Sequence, residues 1–208
     1  MEIMEYGNGS SDIVLVQMVD GHDHKIIERE YELIRESTDV DFLLRACAVS
    51  NWNADLSPWK APAVFGKEDF GGMAEETLDA VLDICADNTK MYYIGGYSLA
   101  GLFALWSAYR TDIFRGVAAA SPSIWFPGFS DHMASHDITC ERVYLSLGDR
   151  EAKVRNPVVA SVAGKIREAY DLLRDRNITC ILEWNEGNHF REPDVRCARA
   201  FSWVLQAD

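Results

Sequence analysis

The sequence predicts an α/β fold, a mostly parallel sheet with helices on both faces. Three observations predict it. Strand-like and helix-like segments alternate along the chain, the pattern of βα units. Several strand-like runs are apolar at successive positions, which requires cover on both sides. Residues 100–109 ("AGLFALWSAY") are apolar nearly all round, and a helix of that kind must be buried. The 208 residues, 48% hydrophobic, suit one domain over 1–208 and are too few for two ordinary domains and a linker.

Taken in order, residues 13–19 ("IVLVQMV") form an apolar, β-rich run that stops at Asp20-Gly21. Residues 25–35 allow a short helix. Residues 42–49 ("FLLRACAV") read as a second buried strand, and a long loop with prolines at 58 and 62 follows over 50–72. Leu78, Val81, Leu82 and Cys85 recur at helical spacing within 75–85. Residues 91–94 make a third strand before the buried helix. Strands are expected again at 116–120, 143–147 and 180–184, six in all. Asn156-Pro157 is a helix start, since asparagine caps free N–H groups and proline fits the first turn; Val158, Val162, Ile166, Ala169 and Leu173 repeat behind it. Pro193 opens the last helix, with Val195, Ala198, Phe201 and Leu205 inward. No internal repeat or low-complexity segment interrupts this order.

Charge and cysteine usage limit the partners. A formal net charge of −13 repels phosphate backbones and anionic lipid, so neither nucleic acid nor membrane is an expected partner. Five cysteines, with no C-x-x-C pair and mostly apolar neighbours, read as buried thiols of a reducing compartment. The acidic N-terminus lacks the basic and apolar regions of a signal peptide. A cytoplasmic protein is the expectation.

In parallel sheets, reactive groups gather in loops beyond the carboxyl ends of strands. Ser98 passes that test. It sits in "GGYSLAG", between the third strand and the buried helix. A sharp turn there exposes the hydroxyl, and the helix N-terminus offers N–H groups to developing negative charge. The usual motif is G-x-S-x-G, but here Ala100 takes the last place and Gly101 comes one residue late. Alone, the stretch reads equally as a tight turn whose serine caps a helix. His189, in "EWNEGNHF" after the sixth strand, suits a general base, its ordinary pKa being near neutrality. The loop after the fifth strand, "SLGDREAKVRN", offers Asp149 and Glu151 as the acid that fixes an imidazole tautomer. Serine, acid, histidine is the chain order described for α/β-hydrolases. His132 and His136 read as solvated. His22 and His24 flank Asp23 in "DGHDHK", but no third ligand stands at a recognised spacing, so no metal and no cofactor is expected.

On "GGYSLAG", "AAASPSIWF", "SLGDREAK" and "EGNHF" the chain resembles the small α/β-hydrolase esterases of the esterase-D-like group, related to feruloyl and siderophore esterases and mycolyltransferases. The resemblance runs from the first strand to the last helix. It implies a minimal six-stranded α/β-hydrolase fold without a large cap. It implies Ser98 as nucleophile and His189 as base. It favours Glu151 over Asp149, because relatives often place the acid three residues after a strand-ending glycine, here Gly148. It also implies an oxyanion hole from the backbone N–H groups of Leu99 and, in the D-G-x turn, His22. Ala100 departs from the pattern by one methyl where helix and strand pack closely.

The implied function is hydrolysis of a small-molecule carboxylic ester through an acyl-enzyme on Ser98. An acyltransferase or thioesterase would share the site, and a catalytically silent hydrolase fold used for binding is the alternative of another class. Trp52, Trp59, Trp125 and Phe126 stand in loops after strands, either as a pocket wall or as cover for the core edge. Arg150, Lys153 and Arg155 crowd the acid loop, to bind an anionic substrate or to balance carboxylates. The 50–72 loop or a second subunit would complete the pocket, and exposed tryptophans permit a homodimer.

Overall fold

The computed structural model describes residues 1–21 and 24–206. Seven strands form one sheet: β1 (Glu2–Gly7), β2 (Ile13–Asp20), β3 (Leu43–Val49), β6 (Met91–Tyr97), β7 (Phe114–Ala120), β8 (Arg142–Gly148) and β9 (Thr179–Asn185). Two short strands, β4 (Lys60–Ala61) and β5 (Phe70–Gly71), pair separately. The order of the large sheet is β1-β3-β2-β6-β7-β8-β9. Only β1 runs antiparallel, against β3. The remaining pairs are parallel.

The sheet thus has one strand more than the sequence pattern suggested. β1 was hidden because it is an edge strand with little to bury. Its sequence is EIMEYG, and only Met4 and Tyr6 lean onto the core, while Arg45 of β3 donates to Glu5 across the pair at 2.8 Å. A strand with one neighbour and one wet face carries no apolar run.

Successive residues of the central strands enter opposite cores, as the two-residue period of a strand requires. Val14, Val16 and Met18 join the larger core, and Leu15 and Val19 the smaller. Val143 and Leu145 face the first, Tyr144 the second. Helices α3 (Ala74–Ile84), α4 (Leu99–Ser107) and α7 (Val162–Asp175) cover the larger core. Helices α1 (His24–Ser37) and α8 (Pro193–Val204) cover the other face. Every residue of α4 is buried.

The 50–72 loop holds α2 (Trp52–Asp55) besides the β4–β5 pair. Among its ties to the rest of the chain, Trp59 Nε1 donates to the Pro127 carbonyl at 2.9 Å, and the Asn156 amide donates to the Val64 carbonyl. Asn156 also accepts from the Val158 N–H at 3.0 Å, which caps α6 (Pro157–Ala160). After β7 comes α5 (Phe129–Ser135), a short polar helix the sequence pattern did not separate from loop. There the expectation for His132 is corrected. Its ring is half-buried against Trp59, Tyr109 and Phe129, whereas His136 is exposed. Two of these rings, Trp59 and Tyr109, come from distant segments, which no local pattern signals. All five cysteines are free, four of them buried.

Candidate active site

Ser98 lies at the junction of β6 and α4 with φ 58° and ψ −119°. A non-glycine residue with positive φ costs of order 1–3 kcal/mol and persists only when its surroundings over-determine it. They do so here. The Ser98 N–H donates to the Ala120 carbonyl at 3.2 Å, and the Ser98 carbonyl accepts from Leu102 at 3.0 Å and Ser123 at 2.9 Å. The displaced glycine of the motif is explained by packing. A Cβ on Gly101 would stand 2.8 Å from the Gly96 carbonyl oxygen, and one on Gly96 would stand 2.7 Å from the Ala100 Cβ. Gly96 gives the room that lets Ala100 be alanine.

The loops after β8 and β9 bring two partners to this serine. His189 Nε2 is 3.0 Å from Ser98 Oγ, and His189 Nδ1 is 2.7 Å from Glu151 Oε2. Ser123 Oγ stands 3.2 Å from Ser98 Oγ on another side. Glu151 is only 5% exposed. Its Oε1 accepts from the Gly148 N–H at 2.7 Å, the Ser121 hydroxyl at 2.8 Å and Arg196 Nη1 at 2.8 Å. Burial alone would raise this carboxyl. The hydrogen bond and charge of His189, with the Gly148 and Ser121 donors, outweigh it and hold the carboxyl below its usual value. Asp149, the other candidate acid, is exposed and turns away from His189: its Oδ1 accepts from the Gly187 N–H at 2.8 Å, tying the two loops together.

Behind the acid stands Arg196 of α8, 2% exposed. Besides Glu151 it donates to Ser121 Oγ and Tyr97 Oη, both at 3.0 Å, and to the carbonyls of Glu186 at 3.2 Å and Asn188 at 3.1 Å. Tyr97 in turn donates to the His189 carbonyl at 2.7 Å. Burial pushes the Tyr97 hydroxyl up to about 12, so it stays a neutral donor. Sequence reasoning missed Arg196 and Tyr97. The only signal was an arginine among the inward positions of the last helix. Ser121 and Ser123 lay within "AAASPSIWF" without a role.

A cavity of about 560 Å³ opens over Ser98 and His189. Trp52 and Trp125 line it, with Phe65, Val154, Val159 and Val162 adding apolar wall. Arg150 and Lys153 also reach it, whereas Arg155 is not part of its lining. Two of the four aromatic candidates belong elsewhere. Phe126 is fully buried under Phe70, and Trp59 packs on Phe126 while its N–H is spent on Pro127. Both hold the 50–72 loop onto the core instead of meeting a ligand. Leu99 is the first residue of α4, where a backbone N–H has no acceptor within the helix. His22, the second expected oxyanion donor, lies outside the described residues, as does Asp23. Among the described residues no group of three or more His, Cys, Asp or Glu is arranged to hold a metal ion, and no helix is long and apolar enough to cross a membrane.

A mostly parallel sheet with helices on both faces, and a serine on the sharp turn after a central strand, define the α/β-hydrolase fold. Solved structures agree. An IroE-like serine hydrolase from Shewanella oneidensis superposes with a TM-score of 0.77 at 15% identity, over 99% of this chain and 77% of that one. The siderophore hydrolase EstA from Aspergillus nidulans gives 0.64 at 20% identity, over 96% and 86%. The fluorophosphonate-binding serine hydrolase FphF from Staphylococcus aureus gives 0.61 at 11% identity, over 99% and 98%. No family model and no curated protein matches the sequence. Likeness at these identities carries the fold, and the activities are those of the proteins named.

Proposed function

We propose that this protein is a serine esterase, with Ser98 as nucleophile, His189 as general base and Glu151 as the supporting acid. The observation that carries the reading is the continuous hydrogen-bonded chain from Ser98 Oγ through both imidazole nitrogens to a buried carboxylate. A serine hydroxyl is a weak nucleophile until a base takes its proton. As Ser98 Oγ bonds to the ester carbonyl carbon, the proton passes to His189 Nε2. Glu151 balances the imidazolium without taking the proton itself. The tetrahedral oxyanion is met by the Leu99 N–H and, on the family resemblance, that of His22. The carbon–oxygen bond to the alcohol then breaks, and the alcohol leaves with the proton from His189. Water, deprotonated by the same imidazole, attacks the acyl-enzyme and releases the acid. Esterase and hydrolase neighbours of the same fold support this class of reaction. The substrate would be a small-molecule ester with an apolar portion for the walls of the cavity.

The test joins labelling to turnover. A fluorophosphonate probe is expected to modify Ser98, and short aryl esters to be hydrolysed. Ser98→Ala should take no label and lose turnover, while melting close to the wild-type temperature. Ester turnover retained by folded Ser98→Ala would sink the proposal.

A further inference from the structure

We propose that Arg196 is a positioning residue of this site, which holds Glu151 Oε1 and the His189 loop together so that Glu151 Oε2 remains for the imidazole. The inference rests on the esterase reading and goes beyond it. Three observations carry it. First, one buried guanidinium meets both the acid and the loop that carries the imidazole: Nη1 donates to Glu151 Oε1 at 2.8 Å, and Nη2 to the carbonyls of Glu186 and Asn188, just before His189. Secondly, a further path runs through Tyr97, which accepts from Nη1 at 3.0 Å and donates to the His189 carbonyl at 2.7 Å. Thirdly, the two terminal nitrogens of one planar fork meet five acceptors from separate segments, a geometry that arginine satisfies and lysine does not. Arg196 is not part of the cavity lining, so it acts through its neighbours and not on substrate.

The pair also has an electrostatic consequence. With side chains 3% and 4% exposed, Arg196 and Glu151 lie where water screens little. The guanidinium cancels part of the carboxylate's pull on the imidazole proton. Without it that pull grows, against an imidazole that must be uncharged to act as base. The other groups facing this pair leave that sign intact. Tyr97 on β6 is pushed up to about 12 by burial, and Cys197, next on α8, is raised well above its ordinary value by burial. Asp194 on α8 is paired with Arg29 of α1 at 2.9 Å. Arg150 and Lys153 stand in the cavity wall.

The experiment compares wild type, Arg196→Met, Arg196→Lys and Tyr97→Phe on a neutral aryl ester, following kcat, KM, the pH profile of kcat/KM and melting temperature. Arg196→Met should lose about 100-fold in kcat, the scale of a small misplacement of reacting groups. KM should stay within about twofold, because the cavity wall is unchanged. Its acid limb should move to higher pH. Arg196→Lys keeps the charge, so its acid limb should stay near wild type while kcat remains low; it also carries the test should Arg196→Met not fold. Tyr97→Phe should show a smaller kcat loss with the limb unmoved. A folded Arg196→Met or Arg196→Lys enzyme with wild-type kcat overturns the inference. So does a loss that tracks the folded fraction while the Arg196→Met pH profile stays put. A wild-type protein that resists the fluorophosphonate and hydrolyses no ester overturns the esterase reading itself, and this inference with it, before any variant is made.

Discussion

At the scale of single residues, the two carboxylates of one loop are placed in opposite roles by two positions of sequence. Asp149 faces a backbone N–H in solvent, while Glu151 is buried against an imidazole and a guanidinium. Glu151→Gln keeps the shape but removes the charge that balances the imidazolium, and kcat should fall by about 10³- to 10⁴-fold. Asp149→Asn retains an acceptor for Gly187, so kcat/KM should remain within about threefold, as for surface changes generally. Steady-state kinetics on one aryl ester checks both, and the reverse ranking would move the acid to Asp149. The nucleophile and base candidates were legible in the sequence because each stands beyond an apolar strand. The choice of acid needed a family resemblance, since spacing alone left both carboxylates open. Arg196 was legible only as an arginine among the inward positions of the last helix, a pattern that does not fix its burial until its partners arrive from β6 and from the loops after β7, β8 and β9.

At the scale of elements, the β6–α4 junction is built with no spare volume. Gly101→Ala would drive a methyl to 2.8 Å from the Gly96 carbonyl oxygen, a backbone atom that cannot swing aside. Overpacking of this kind costs about 1–3 kcal/mol, and at roughly 2–4 °C per kcal/mol for a chain of this length the loss should be plain in a thermal melt. The layer between β2, α1 and α8 holds a different strain. Glu30 is 1% exposed, receives one hydrogen bond, from Gln17 at 3.2 Å, and leaves Oε1 without a partner. Burial raises its carboxyl from 4.5 to about 8, partly opposed by Gln17 and assisted by the charge of Asp194. A raised folded value means that the contribution of Glu30 is complete below 4.5 and is lost as pH rises towards 8, because only the unfolded chain releases the proton in that window. Glu30→Gln should therefore melt higher than wild type at pH 8 and equal to it near pH 4. A gain of equal size at both values would refute ionisation as its cause.

The whole molecule sets one charge pattern inside another. The chain carries −13 overall, yet Arg150 and Lys153 enter the cavity wall, where the one carboxylate among the described residues, Glu151, is already held by Arg196 and His189. An ester bearing an anionic group should then exceed its neutral counterpart in kcat/KM by about 3- to 10-fold at low salt, a margin typical of one or two exposed ion pairs. Nitrophenyl hemiglutarate against nitrophenyl pentanoate is the comparison, and the margin should shrink with added salt and in Lys153→Met. Equal rates at low salt would leave these cations to loop solubility. The parallel sheet and its buried helix could be read from composition along the chain, because both depend on local runs. The seventh strand and the short helix α5 could not, because each is held by contacts between distant segments; of the pocket wall the sequence offered Trp52 and the 50–72 loop, but not Phe65 within it. Phe190 illustrates what such closure leaves outside. It follows the proposed base directly, lines the cavity and is 86% exposed. The loop of His189 extends from β9, which has no strand on its outer side among the described residues, and is anchored inward by Arg196 of α8 together with Tyr97 and Asp149. In native-state hydrogen exchange, the amides around 186–191 should therefore open together with the last helix as one cooperative unit. His189 would then part from Ser98 at a temperature below that at which the sheet itself comes apart.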